Sequence, residues 1–189
     1  MLTTLSRILI PVLTLILPDR GGWFTSNFSA AASEYPKNLL LMLWVLVTGI
    51  SFHTSLKQTA ELAAPYLSVK KEAVLADASI LSLIVSVLLP YRPETWYYVS
   101  ALHVLIAFSS TVIFFTALTV MDLRFFFEEP ELFSLTTGLF LPAIAGTACL
   151  LIVCDYLISG ALEVFLTLFS FFWLELFSHR VRQFVERKA

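Results

Sequence analysis

The stretch Tyr98 to Met121, "YVSALHVLIAFSSTVIFFTALTVM", runs for 24 residues without an Asp, Glu, Lys or Arg. About 20 mainly apolar residues in a helix cross the 30 Å hydrocarbon core of a bilayer. To keep this stretch from water, a soluble chain would need a polar exterior, and this one lacks it. Hydrophobic residues make up 58% of the 189 and charged residues 14%, where a soluble domain carries roughly 25% charged. The expected class is therefore all-α: a polytopic integral membrane protein. A transmembrane barrel would show strands of about ten residues with alternating polarity, and the apolar runs here are continuous.

Six apolar segments follow one another, at residues 2–18, 38–53, 74–90, 98–121, 132–154 and 158–177. They predict six transmembrane helices in a single bundle over 1–189. The first segment, from Leu2, contains Arg7 and Pro11 and resembles a signal peptide in having one early Arg before an apolar run. The distance from Leu17 to the small residues ending at Ala32 is long for a cleavage region. It is read as a helix, with Arg7 reaching toward the interface. The loop after it is long enough for a short interfacial helix from Ser26 to Tyr35, and its "NFS" at 27–29 is a formal glycosylation sequon.

Basic residues orient such a bundle. With the N-terminus cytoplasmic, Arg7, Lys57, Lys70, Lys71, Arg124, Arg180, Arg182, Arg187 and Lys188 fall inside, and Arg20, Lys37 and Arg92 outside. Both termini are accordingly expected in the cytoplasm, with Trp96, Tyr97 and Tyr98 at the outer interface. The formal net charge of −2 offers no basic surface for nucleic acid. Which membrane holds the protein is not encoded.

Ionisable groups at membrane depth carry the functional signal, because lipid makes them costly. Ser159, Glu163, Thr167 and Ser170 share one helical face, as do His103, Ala107 and Ser110. In the expected topology His103 and Glu163 lie at matching depth, with Asp155 at the outer end of the fifth helix. They predict an outer-leaflet polar cluster of His103, Glu163, Asp155, Ser110 and Thr167, with His103 and Glu163 as direct partners. Three roles fit such a cluster: a hydrogen bond that fixes packing, a binding or proton-handling site, and catalysis. His53, Asp77, Asp122 and Glu175 lie near helix ends, where interfacial water solvates them. Gly138, Pro142 and Gly146 recur at four-residue spacing in the fifth helix. They predict a bend and a close helix contact there, which is also a face for homo- or hetero-oligomers.

The sequence "LSLIVSVLLPYRPETWYYVSALHVLIAF" resembles the Frag/DRAM/Sfk-like six-helix membrane proteins. That likeness implies six helices, cytoplasmic termini and a lipid-related, non-catalytic accessory role. "WFTSNF" and "VTGISFH" resemble pieces of the androgen-induced intramembrane hydrolases. This second likeness implies Thr25 and His103 as a hydrolytic pair. No metal-site, P-loop or G-x-S-x-G motif occurs, and no cofactor is expected. The expectation is a small, non-enzymatic membrane protein that binds a lipid or small molecule at the outer polar cluster. An intramembrane Thr/His lipid hydrolase and a structural subunit of a larger complex are the alternatives.

Overall fold

The computed structural model describes residues 4–18, 22–33, 37–155 and 158–189. Leu2, Arg20 and Tyr35, named above, lie outside them. The described residues form eight helices and no strand: α1 (Thr4–Ile16), α2 (Phe28–Ala31), α3 (Lys37–Ala63), α4 (Lys70–Leu88), α5 (Tyr97–Glu128), α6 (Pro130–Gly138), α7 (Phe140–Val153) and α8 (Gly160–Lys188). Four stretches are long and apolar enough to cross a membrane: α3, α5, the pair α6–α7, and α8. At 1.5 Å per residue α5 is about 48 Å long and α8 about 44 Å. Both are longer than the bilayer core is thick. α4 spans about 28 Å and α1 about 20 Å, the latter short of the core thickness.

Proline places two of the breaks. Pro130 is the first residue of α6, and Glu129 before it leaves the helical region at φ −145°, ψ 75°. A residue preceding proline is pushed out of the helical region, and proline itself suits a helix start. Farther on, α6 and α7 are separated only by Leu139, which keeps helical dihedrals at φ −68°, ψ −21°. Pro142 has no N–H for the Gly138 carbonyl and its ring crowds that carbonyl, so the interruption falls one turn before the proline.

The expected packing of the glycines is half right. A Cβ on Gly146 would lie 2.8 Å from the Phe165 ring of α8, whereas one on Gly138 would meet nothing within 4 Å. The interrupted helix touches α8 through Gly146 and turns Gly138 outward. Leu141 and Ile144, 75% and 66% exposed, cover the outward face with the apolar surface that lipid solvates.

α4 and α5 run antiparallel, as do α1 and α8. Arg124 near the end of α5 donates to Glu72 at the start of α4 at 3.0 Å, and His103 near the start of α5 reaches the last turn of α4. Arg7 in α1 bonds Glu175 in the C-terminal half of α8 at 2.6 Å, while Pro18 after α1 lies against Gly160 at the start of α8. The start of α1 and the end of α8 therefore share one end of the bundle, called the termini end below. The loop 22–33 and the turn 89–96 occupy the other, called the loop end below.

Candidate functional site: the loop end of the bundle

The site begins with the backbone of loop 22–33. Ser26 N bonds Gly22 O at 2.9 Å and closes a turn. Asn27 then takes an extended conformation, and its Oδ1 accepts from Ala30 N at 2.8 Å. That is the usual role of asparagine at a helix start, and it opens the one-turn helix α2. A short helix is thus present in this loop, over Phe28–Ala31 rather than 26–35.

This irregular backbone and the start of α8 satisfy one another. The first N–H groups of a helix have no partner inside it. Here Gly160 N donates to Ser26 O at 2.6 Å and Ala161 N to Trp23 O at 2.7 Å. Leu162 N is capped by Ser159 Oγ at 3.3 Å. In return, Phe28 N, the first N–H of α2, donates to Glu163 Oε2 at 2.5 Å. Glu163 therefore serves as an acceptor for loop backbone.

The next residue of the loop meets His103, which is 4% exposed. Ser29 Oγ lies 2.8 Å from His103 Nε2. His103 Nδ1 faces the carbonyls of Ser86 at 2.7 Å and Leu89 at 3.1 Å. A carbonyl only accepts, so the proton resides on Nδ1, and in the neutral ring Nε2 accepts from the Ser29 hydroxyl. The sequence explains the opening at Ser86. Four residues on stands Pro90, which has no N–H, and the Ser86 carbonyl keeps room for the imidazole beside the bond from Leu89 N. Tyr91 tilts against the ring with centroids 5.5 Å apart.

His103 and Glu163 thus converge without touching as partners. Each holds one of two consecutive residues, Phe28 and Ser29, of the same loop. The expected direct pair is replaced by a three-part latch of α5, loop and α8, because the loop backbone brings donors that a bare helix pair lacks. The other expected members lie apart from it. Asp155 is exposed at φ 50° in the turn that ends α7, where its N–H bonds Ile152 O at 3.2 Å. Aspartate tolerates this left-handed position better than most residues, so its role there is to stop the helix. Ser110, two turns beyond His103, is buried but donates to its own helix at Ile106 O, 2.6 Å. Thr167, one turn beyond Glu163, is half-buried and makes no side-chain bond to the latch. Thr25 is exposed in the loop turn, and Ser29 holds the place against His103 that was expected of it. Asn27, Ser29 and the Ser86 carbonyl are the members that sequence reading missed. The one available signal was Asn27 opening "FSAA", a cap followed by helix formers.

Chemically, the latch offers one carboxylate that accepts an N–H and one imidazole nitrogen that accepts an O–H. Among the described residues no group of His, Cys, Asp and Glu could hold a metal ion. No family model, curated protein or solved structure matches the chain.

Proposed function

We propose that this chain is a six-span membrane protein with both termini in the cytoplasm, and that it binds a lipid or small molecule non-enzymatically at the outer-leaflet latch. The four long apolar helices support the membrane setting, with α1 and α4 as the shorter crossings. The excess of Lys and Arg at the termini end supports the orientation. The observation that carries the binding reading is that Glu163 and His103 are engaged by consecutive loop residues, Phe28 and Ser29. An N–H and an O–H are what a lipid headgroup with amine or hydroxyl groups presents. Such a headgroup substitutes for the loop on the same two acceptors. The outward face at Gly138 is where a second copy or an accessory partner would pack.

A lipid carrying a photoreactive group near its headgroup tests the binding reading. Crosslinks should map to residues 22–33 and to the first turns of α5 and α8, and should fall in His103→Leu. Crosslinks spread evenly over the exposed apolar faces would overturn it. For the topology, an impermeant thiol reagent added outside cells should fail to label a cysteine placed near Arg187.

One observation favours a second reading, hydrolysis. Ser29 Oγ, His103 Nε2 and the Ser86 carbonyl at Nδ1 stand in the order nucleophile, base and orienter. In that reaction Ser29 Oγ bonds to an ester carbonyl carbon and its proton passes to Nε2. The alcohol leaves with that proton, and water then releases the acyl group. Labelling by a fluorophosphonate that vanishes in both Ser29→Ala and His103→Leu would select this reading, and absence of labelling in the native protein rejects it.

A further inference from the structure

At the termini end of the bundle, Arg7 of α1 and Glu175, Ser178, His179 and Arg182 of α8 line a cavity of about 190 Å³. The four α8 residues stand at offsets of three, one and three, which puts them on a single helical face. Ser178 Oγ turns into the bundle, 2.9 Å from Thr59 Oγ1, and forms the cavity wall. Arg7 uses one Nη on Glu175 at 2.6 Å. Its other guanidinium N–H groups exceed what one carboxylate oxygen can take. His179 Nε2 meets the Gln183 amide at 3.3 Å, which leaves Nδ1 as its second polar atom. Arg182 is exposed and has no ion pair among the described residues. With two guanidinium groups and one carboxylate, the lining keeps one positive charge in excess.

Depth identifies the anion. Arg182 lies 22 residues after Gly160, about 33 Å along α8, or one hydrocarbon thickness from the loop end. This position rests on reading α8 as a membrane span. The cavity then sits at the headgroup level of the leaflet that borders the termini. Guanidinium forks match phosphate oxygens in geometry as well as charge. A phosphodiester carries one negative charge, equal to the excess.

We propose that this cavity binds a phosphate group, as the headgroup of an anionic phospholipid or as soluble phosphate, with Arg7 and Arg182 as its ligands. The test uses the full chain in neutral detergent and reads thermal unfolding by tryptophan fluorescence. The additions are short-chain phosphatidylglycerol, short-chain phosphatidylcholine or sodium phosphate. Phosphatidylglycerol should raise the unfolding temperature and phosphatidylcholine should not. In Arg182→Gln the phosphatidylglycerol concentration for half effect should rise about tenfold, the size of one lost charge-assisted contact. Arg182 has no intramolecular ion pair, so this variant should fold. Lys57→Gln, outside the cavity, should respond as the native protein does. A matching, Arg182-dependent shift with sodium phosphate assigns the site to the oxyanion in general, and its absence assigns it to the lipid. The proposal is overturned if phosphatidylcholine works as well as phosphatidylglycerol. It is equally overturned if Arg182→Gln responds like the native protein, or if neither phosphate source shifts unfolding.

Discussion

The two ends of the bundle hold themselves together by different physics. At the termini end, aromatic rings pack on one another. Trp173 stacks on Phe177 at 4.7 Å, and Phe125 lies 5.0 Å from Phe133 and 5.3 Å from Phe177. Trp173 directs its only donor, Nε1, to Thr136 O at 3.2 Å. All the partners are helical, so their backbone groups are bonded within the helices. At the loop end the apolar cluster is smaller, built on Leu13, Leu17, Phe28, Trp44 and Val164. Non-helical backbone enters the bundle there, and at membrane depth such backbone persists only where protein satisfies it. The latch supplies that satisfaction through Glu163, His103 and the first turn of α8. The comparison teaches that ring packing dominates at the termini end, where buried Asp122 takes the Thr137 hydroxyl at 2.6 Å, whereas the loop end depends on a few polar groups.

Removing a central ring makes the strongest attempt to break this contrast. Phe177 is fully buried and touches Phe125, Phe133 and Trp173. Phe177→Ala should cost about 3 kcal/mol, the low end for such truncations, because the unfolded side chain still finds apolar surroundings in lipid or detergent. Reversible unfolding in mixed micelles measures it. A loss under about 1 kcal/mol would mean that the aromatic cluster relaxes freely.

The latch comes next. Glu163→Leu strands the Phe28 N–H, and His103→Leu strands the Ser29 hydroxyl and leaves the Ser86 carbonyl with the Leu89 N–H alone. Each should cost about 1–3 kcal/mol. Both residues hold one loop, so releasing it from either side removes much of what the other contributes. The double variant should cost clearly less than the sum. Phe177→Ala combined with Glu163→Leu should be additive, since the two sites share no partner. Additivity within the latch would dissolve it into two unrelated bonds.

Helix packing lies between these. Gly146→Leu forces a side chain into the Phe165 ring and should cost about 1–3 kcal/mol. Gly138→Leu meets open space and should leave unfolding within about 0.5 kcal/mol. Equal effects at the two positions would show a partner helix seated on Gly138.

The legibility of this fold in its sequence follows the same division. Continuous apolar runs announce long helices, and Pro142 announces the bend near where it occurs. Helical spacing selected His103 and Glu163, because lipid leaves few tolerable surroundings for either. Their partners were not legible. Spacing arguments see only residues one turn apart, whereas Glu163 meets Phe28 across 135 positions and His103 meets Ser29 across 74. The donor to Glu163 is a backbone N–H, which no side-chain pattern records. Asp155 misled because an acidic residue near a helix end suits a polar cluster and a left-handed turn equally well. Gly138 misled because small-residue spacing names a face without naming what covers it.

The smallest expected effect concerns the ion pair at the termini end. Arg7 and Glu175 approach to 2.6 Å, but their side chains are 48% and 26% exposed. Pairs in such surroundings contribute about 0–1 kcal/mol, because water screens the attraction and fixing two long side chains costs entropy. Arg7→Gln should therefore shift unfolding by less than either latch variant. Raising the salt concentration should narrow what difference remains. The pair joins the start of α1 to α8 close to the aromatic rings, so a weak effect means that ring packing alone closes that end. A loss as large as that of Glu163→Leu would instead make polar bonds decisive at both ends, and the contrast between them would fall.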